Sequence, residues 1–258
     1  MAKLKNFILQ STRRSRNLIV LTGSGIILVL MIGFLSFRPA KAEPMQVGVG
    51  VGTSGQSAFE FIGRINQNNF DFTGFGYLTY IKGLDYAEIY NYPTPPSEGS
   101  EDTARFTYVA TATLTSRAIL SDVFVIDSEG LITFYFTQSP PDRSFADAAS
   151  FAVGTPIATA TMRYQDILLV QAANKGLATG VSELTQLSAP TFTLNGQSYQ
   201  FGRSNLLYRL SSIGNGTRTS LDPVISFVSL AGNAVTSGQQ QSFLPLLIRQ
   251  ASERTSQP

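Results

Sequence analysis

Residues 105–118 read RFTYVATATLTSRA, and this stretch decides the fold class. Every second residue from 106 to 114 is apolar, whereas the residues between them are mostly threonine. A period of two is that of a β-strand, because successive side chains of a strand point to opposite faces of the sheet. The stretch therefore predicts an antiparallel strand with one face buried and the other in water.

Similar runs recur throughout residues 58–237 and indicate a domain built of strands. They cover residues 59–65, 70–81, 122–127, 131–137, 157–172, 177–187, 191–194, 197–201, 206–213 and 224–230. The best helix candidate, residues 145–153, is short. Roughly ten strands without crossover helices predict an all-β fold, which is either a single antiparallel β-barrel or a β-sandwich. Glycines inside these runs, such as Gly63 and Gly74, favour the barrel because they mark bends at barrel corners.

Two Asn-Gly pairs, Asn195-Gly196 and Asn215-Gly216, predict tight hairpin turns. The type I′ turn needs positive φ at both central residues, which Asn and Gly adopt readily. Asn215 also begins an Asn-Gly-Thr sequence that would accept a glycan in a eukaryotic secretory pathway. We favour the turn as the interpretation of this pair.

The first 42 residues differ sharply from the rest of the chain. Seven of the 19 basic residues lie there without any acid, so that the remaining 12 bases face 17 acids and give residues 43–258 a net charge of −5. A basic region precedes the apolar residues 18–37, and Ala40-Lys41-Ala42 follows. This order is that of a secretory signal, although the apolar stretch is also long enough to span a bilayer. We therefore predict an exported protein, either secreted after cleavage of a signal peptide (residues 1–42) or anchored in the membrane by a helix at residues 18–37.

The remaining chain divides into three parts by composition. Residues 43–57 are rich in glycine and serine and predict a flexible spacer. Residues 58–237 hold the barrel-like domain. Residues 238–258 turn to glutamine, serine and charge, and predict a polar tail.

The composition excludes several kinds of chemistry. The chain has no Cys, His or Trp, which removes disulfides, thiolate nucleophiles, imidazole catalysis and zinc sites built from His and Cys. The acidic body also lacks the clustered Lys and Arg residues of a nucleic-acid-binding surface. We expect no metal, no cofactor and no nucleic-acid partner.

Asp166 is the acid with the most informative position. The apolar phase of residues 157–162 continues through Tyr164 to Asp166 and then to Leu168. A carboxyl group on an apolar face has a raised pKa or an arginine partner, unless a bend turns it outward. The chemical interpretation makes Asp166 and Tyr164 a candidate catalytic pair in the mouth of a barrel. The structural interpretation, an outward residue or an Asp–Arg pair, is the one that we expect.

Aromatic residues are dense in the run at residues 70–81. If some of them line a cavity, they are the candidate residues for binding a ligand: Phe72, Phe75, Tyr77 and Tyr80. The alternative is that they pack in the core.

Three functions fit this pattern. The expected one is an exported, non-enzymatic β-domain that binds an envelope partner or a small apolar ligand. A small-barrel isomerase or cyclase that uses Asp166 and Tyr164 is the first alternative, and a structural surface protein is the second.

Overall fold

The computed structural model describes residues 46–91 and 99–239. The predicted leader, the start of the spacer and nearly all of the predicted tail lie outside these residues. The described strands are β1 (Val47–Val49), β2 (Ser57–Asn68), β3 (Asp71–Ile81), β4 (Phe106–Leu120), β5 (Val123–Phe136), β6 (Thr155–Ala172), β7 (Lys175–Ser188), β8 (Thr191–Leu194), β9 (Gln197–Phe201), β10 (Leu206–Leu221) and β11 (Val224–Gln239). A short helix, α1 (Tyr86–Ile89), follows β3, and a 3-10 helix (Ala148–Ala152) lies within the predicted helical segment 145–153.

Eight of these strands close into an antiparallel β-barrel. Their order around the barrel is β10-β11-β2-β3-β4-β5-β6-β7, and β7 pairs with β10 to complete the circle. The prediction of a single antiparallel barrel is confirmed, and the sandwich alternative is wrong. Closure satisfies the strand edges that an open sheet of this length would expose.

The two ends of the barrel differ. The hairpins β2–β3, β4–β5, β6–β7 and β10–β11 turn at one end, which we call the open end. A separate three-stranded sheet, in the order β1-β9-β8, packs at the other, closed end. Both Val47, where β1 begins, and Gln239, where β11 ends, lie on the closed-end side.

The closed end is filled by aromatic side chains. The Phe59 ring lies 5.4 Å from that of Phe134 and 5.6 Å from that of Phe201, and Phe134 and Phe201 are 5.1 Å apart. The buried Gln186 side chain donates to the Phe201 carbonyl (2.7 Å) and accepts from the Arg203 amide (3.1 Å). The small sheet is thereby held against the barrel by both packing and hydrogen bonds.

The turn prediction holds at one Asn-Gly pair and fails at the other. Asn195 and Gly196 have φ angles of 52° and 80° and join β8 to β9, as predicted. The prediction of a turn at Asn215-Gly216 is wrong, because both residues lie inside β10. Asn215 pairs with Leu177 on one side and with Ser229 on the other. Pairing on two sides outweighs the local preference of Asn-Gly for a turn.

The described residues, 46–91 and 99–239, belong to one compact unit that contains all the described strands. Part of the predicted spacer contributes to it, because Val47–Val49 pairs in parallel with β9 and Val49 is fully buried. In the part of the chain that the structure describes, no helix is long and apolar enough to span a membrane. The predicted anchor at residues 18–37 is outside that part.

Candidate functional site in the barrel cavity

The open end leads into a cavity of about 750 Å³ inside the barrel. Its apolar wall includes Phe72, Leu114, Phe124, Ile126, Leu168 and Val228. A smaller chamber of about 70 Å³ lies deeper, and Ile65, Phe72, Ser128 and Tyr164 line both spaces. The interior is therefore a funnel that narrows from the open end towards the closed end.

Small residues on β7 and β10 keep this interior from filling. Their inward positions are occupied by Gly176, Ala178, Gly180 and Ser182 on β7, and by Ser212, Gly214 and Gly216 on β10. Larger side chains line the cavity from other strands: Phe72 on β3, Leu114 on β4, Phe124 and Ile126 on β5, and Leu168 on β6. Because the closed end is packed with aromatic rings, the space that these small residues leave is connected to water through the open end.

Asp166 projects into this cavity from the middle of β6. It pairs with Ile126 on β5 and with Gly180 on β7, and only 8% of its surface is exposed. Its Oδ1 atom is buried and has no hydrogen-bond partner among the described residues. Burial disfavours the charged form and raises the pKa of the Asp166 carboxyl to about 6.

The structural interpretation of Asp166 is wrong on both counts. The residue faces inward, because the alternation of β6 continues without a bulge between residues 160 and 170. In residues 46–91 and 99–239 a single ion pair is present, between Arg209 and Glu183 on the outer wall. Asp166 therefore has no arginine within ion-pair distance there.

Tyr164 is the next inward residue of β6, on the side towards the closed end. Its ring lies across Gly180, the residue that pairs with Asp166, so its hydroxyl group is brought towards the level of the carboxyl. Burial raises the pKa of the Tyr164 phenol, and the nearby charge of Asp166 raises it further, whereas a hydrogen bond with Ser212 acts in the opposite direction. Tyr164 is therefore a neutral hydroxyl group at physiological pH.

The four candidate aromatic residues occupy three different environments. Phe72 lines the cavity and its inner chamber. Phe75 and Tyr77 point outward from β3 and are covered by the segment around the 3-10 helix, where the Phe75 ring lies 5.3 Å from that of Phe151. Tyr80 is 38% exposed and does not line the cavity. Because side chains alternate between the two faces of β3, Phe72 points inward whereas Phe75 and Tyr77 point outward. Of the four residues, only Phe72 remains a candidate for binding a ligand.

Three basic residues line the opening of the cavity. The Lys175 ammonium group donates to the Thr217 hydroxyl (3.0 Å), and the Arg218 guanidinium group donates to the Asn174 side chain (3.1 Å). Arg117 lies on the same rim. These three groups lie nearer to the hairpin turns than Asp166 does, so a molecule that enters the cavity passes them first.

Sequence reasoning missed the serines that surround Tyr164. Ser128, Ser182 and Ser212 line the inner chamber, and Ser182 donates to the Arg163 carbonyl at 3.1 Å. Ser212 lies two residues beyond Leu210 and four beyond Tyr208, which both point inward. The alternation of side chains along β10 was therefore the signal that places Ser212 inside the barrel. Within the described ranges, no cluster of three or more acidic side chains is arranged to hold a metal ion.

The chain was also compared with known proteins. No protein-family model matches it, and no curated protein is significantly similar to it.

Proposed function

We propose that the barrel binds a small, mainly apolar molecule whose single polar group is received by Asp166. The observation that carries this proposal is a buried carboxyl oxygen that has no hydrogen-bond partner in the described part of the chain and faces a cavity of about 750 Å³. Small-molecule sites are typically clefts of about 300–1,000 Å³, with apolar walls and a few convergent polar groups. The funnel has these properties.

The chemistry of the site indicates which polar group the ligand carries. An unsatisfied buried polar atom costs roughly 1–3 kcal/mol, and this cost is recovered when a ligand supplies a hydrogen-bond donor. A carboxylate only accepts hydrogen bonds, so the matching group is a hydroxyl, an amide N–H or an amine. The neutral Tyr164 hydroxyl and the inner serines offer further partners to the same end of the ligand. The apolar part then lies against Phe72 and its neighbours.

Native mass spectrometry of the protein purified from its own host tests this proposal. We expect a bound molecule of a few hundred daltons in the wild type, with less of it in Asp166→Asn. Asp127→Asn is a matched control, because Asp127 lies on the outer face of β5, where its carboxylate accepts from Ser116 and Gln165. Wild-type protein that carries no molecule and binds no apolar probe would contradict the proposal.

Enzymatic turnover of the bound molecule is a second candidate function. The observation that favours it is a carboxyl with a pKa of about 6 near a phenol, because such a group can take up and return a proton near neutral pH. An isomerase or cyclase fits, since it rearranges one substrate without a cofactor. Conversion of the recovered molecule to an isomer by the wild type, but not by Asp166→Asn, would identify the enzyme. Release of the molecule unchanged from both proteins would leave binding as the function.

We also propose that the barrel acts outside the cytoplasm. The basic region, the apolar stretch at residues 18–37 and the Ala40-Lys41-Ala42 sequence support this location. Sequencing the N-terminus of the protein isolated from its host tests it: a start at residue 43 indicates secretion, and an intact leader in the membrane fraction indicates an anchor. An intact leader in the cytosolic fraction would contradict export.

A further inference from the structure

The open end of the barrel carries the most exposed large apolar side chains of the described residues. Leu120 is 79% exposed, Leu221 68% and Phe70 64%, and each lies at a hairpin turn or directly beside one. Ile119, next to Leu120, is 54% exposed. Turn positions normally hold polar residues or glycine, so this placement costs solubility and needs a reason.

These side chains surround the entrance to the cavity. They belong to the hairpins β10–β11, β2–β3 and β4–β5, which are consecutive in the barrel order, so they cover most of the rim. The fourth hairpin, β6–β7, carries Ala172 and Ala173 at its tip. A surface that buries all these tips at once must lie across the open end.

The charge of this end differs from that of the body. The four hairpin turns, taken with the four strand residues on either side of each, carry three acids and three bases, so their charges cancel: Asp71, Asp122 and Asp222 against Arg117, Lys175 and Arg218. The body as a whole has a net charge of −5. The open end is thus an apolar and electrically neutral part of the acidic body formed by residues 43–258. A surface without net charge suits a zwitterionic membrane, where neither sign of charge is favoured.

We propose that the open end docks on a lipid bilayer, and that the ligand of the cavity enters from the membrane. This inference rests on the proposed function for its second part, because an apolar ligand of the cavity is more soluble in a membrane than in water. A bilayer admits separate apolar tips at its interface and leaves a path for a dissolved molecule between them. A rigid protein partner seated on the same tips would seal the entrance.

The absence of tryptophan makes the docking directly measurable in the full chain. Leu120→Trp places a single fluorophore at the open end, and Leu187→Trp places a matched one in β7 near the closed end, where Leu187 is 52% exposed. With phosphatidylcholine vesicles that contain brominated lipid, we expect quenching and a blue shift for Leu120→Trp but little change for Leu187→Trp. A leader that binds the membrane by itself does not produce this difference. Equal quenching at both positions, no quenching at position 120, or quenching only with anionic lipid would overturn the proposal.

A second measurement separates docking from ligand binding. We expect the triple variant Phe70→Ser, Leu120→Ser, Leu221→Ser to bind the uncharged fluorescent probe phenylnaphthylamine in solution as the wild type does. Its uptake of the probe from loaded phosphatidylcholine vesicles should be slower by at least on the order of tenfold, because the apolar contacts with the membrane are lost. Uptake at the wild-type rate would overturn the proposed entry route. If neither the wild type nor the triple variant binds the probe but Leu120→Trp is still quenched, docking is supported and the proposed function is refuted.

Discussion

The ring of Tyr164 lies against the backbone of Gly180. A Cβ atom at position 180 would lie 2.6 Å from Tyr164 Cζ, closer than two non-bonded carbon atoms can approach each other. Gly180 in turn pairs with Asp166 across the β6–β7 ladder. Because Gly180 has no side chain, the Tyr164 phenol can lie near the Asp166 carboxyl.

Gly180→Ala should push Tyr164 out of this position. We expect the free energy of unfolding to fall by about 1–3 kcal/mol, the usual cost of overpacking a closed interior. Gly74→Ala is the control, because a Cβ atom there would meet its nearest neighbours at ordinary distances of 3.6 and 3.7 Å. Urea unfolding of residues 44–258 measures both changes, and equal stabilities of the two variants would contradict the described packing.

Asp166→Asn should change how stability depends on pH. The pKa of Asp166 is about 6 in the folded protein, against an ordinary value of 3.8, so folding favours the protonated carboxyl. The contribution of Asp166 to the stability of the wild type should therefore fall as the pH rises from about 4 to above 6, by roughly 3 kcal/mol in total. The asparagine does not titrate, so the variant should match the wild type more closely at pH 4 and exceed its stability at pH 7.

Urea unfolding of ligand-free protein at about pH 4, 5, 6, 7 and 8 tests this difference. The outer-face control Asp127→Asn should not remove the pH dependence. A variant that is less stable than the wild type at pH 7 would show instead that the carboxylate has a stabilising partner.

Gly216→Leu should fill the cavity while preserving the barrel. A Cβ atom at this position meets Leu168, Gly176 and Val228 at 3.5–3.7 Å, so the new side chain has room to start and then extends into the funnel. We expect phenylnaphthylamine binding to weaken by at least on the order of tenfold, since the ligand and the leucine compete for one volume. Ser211→Leu adds the same side chain to the outer face of β10 and should leave binding unchanged. Equal binding by both variants would place the probe outside the barrel.

Ala42→Leu should leave the leader on the exported protein if the leader is normally removed. Signal peptidase accepts only small side chains near the cleavage point, which Ala40 and Ala42 provide. Mass spectrometry of protein from the producing cells would show a mass increase equal to residues 1–42 relative to the cleaved wild type. A wild type that itself retains residues 1–42 indicates the anchor.

The sequence was sufficient to predict the antiparallel strands and the alternation of β6, whereas it favoured a barrel over a sandwich without deciding between them. The strands and their alternation both depend on the period of two, which every strand must follow when one face is buried. The same period put Asp166 in phase with Tyr164, although the interpretation that we expected turned it outward or paired it with an arginine. The alternation of side chains involves only neighbouring residues, so it can be recognised in the sequence alone.

The environment of Asp166 could not be predicted, because it depends on residues that are distant in sequence. Whether the carboxyl meets an arginine is decided by the register that places Ile126 and Gly180 beside it. The prediction of a turn at Asn215-Gly216 is wrong for a related reason, because pairing with β7 on one side and β11 on the other keeps both residues in β10. The orientation of Phe75 and Tyr77, by contrast, follows from the sequence, because residues an odd number of positions from Phe72 lie on the other face of the strand.

The described strands begin at Val47 and end at Gln239, and both residues lie on the side opposite to the entrance. A fused domain, an affinity tag or a chemical linker attached directly at Val47 or Gln239 would therefore be joined to the side remote from the hairpin turns. Attached to a solid support through such a linker, the protein would present its funnel to the solution. If the cavity binds apolar compounds as proposed, this geometry would make the barrel a suitable scaffold for an immobilised sensor of such compounds.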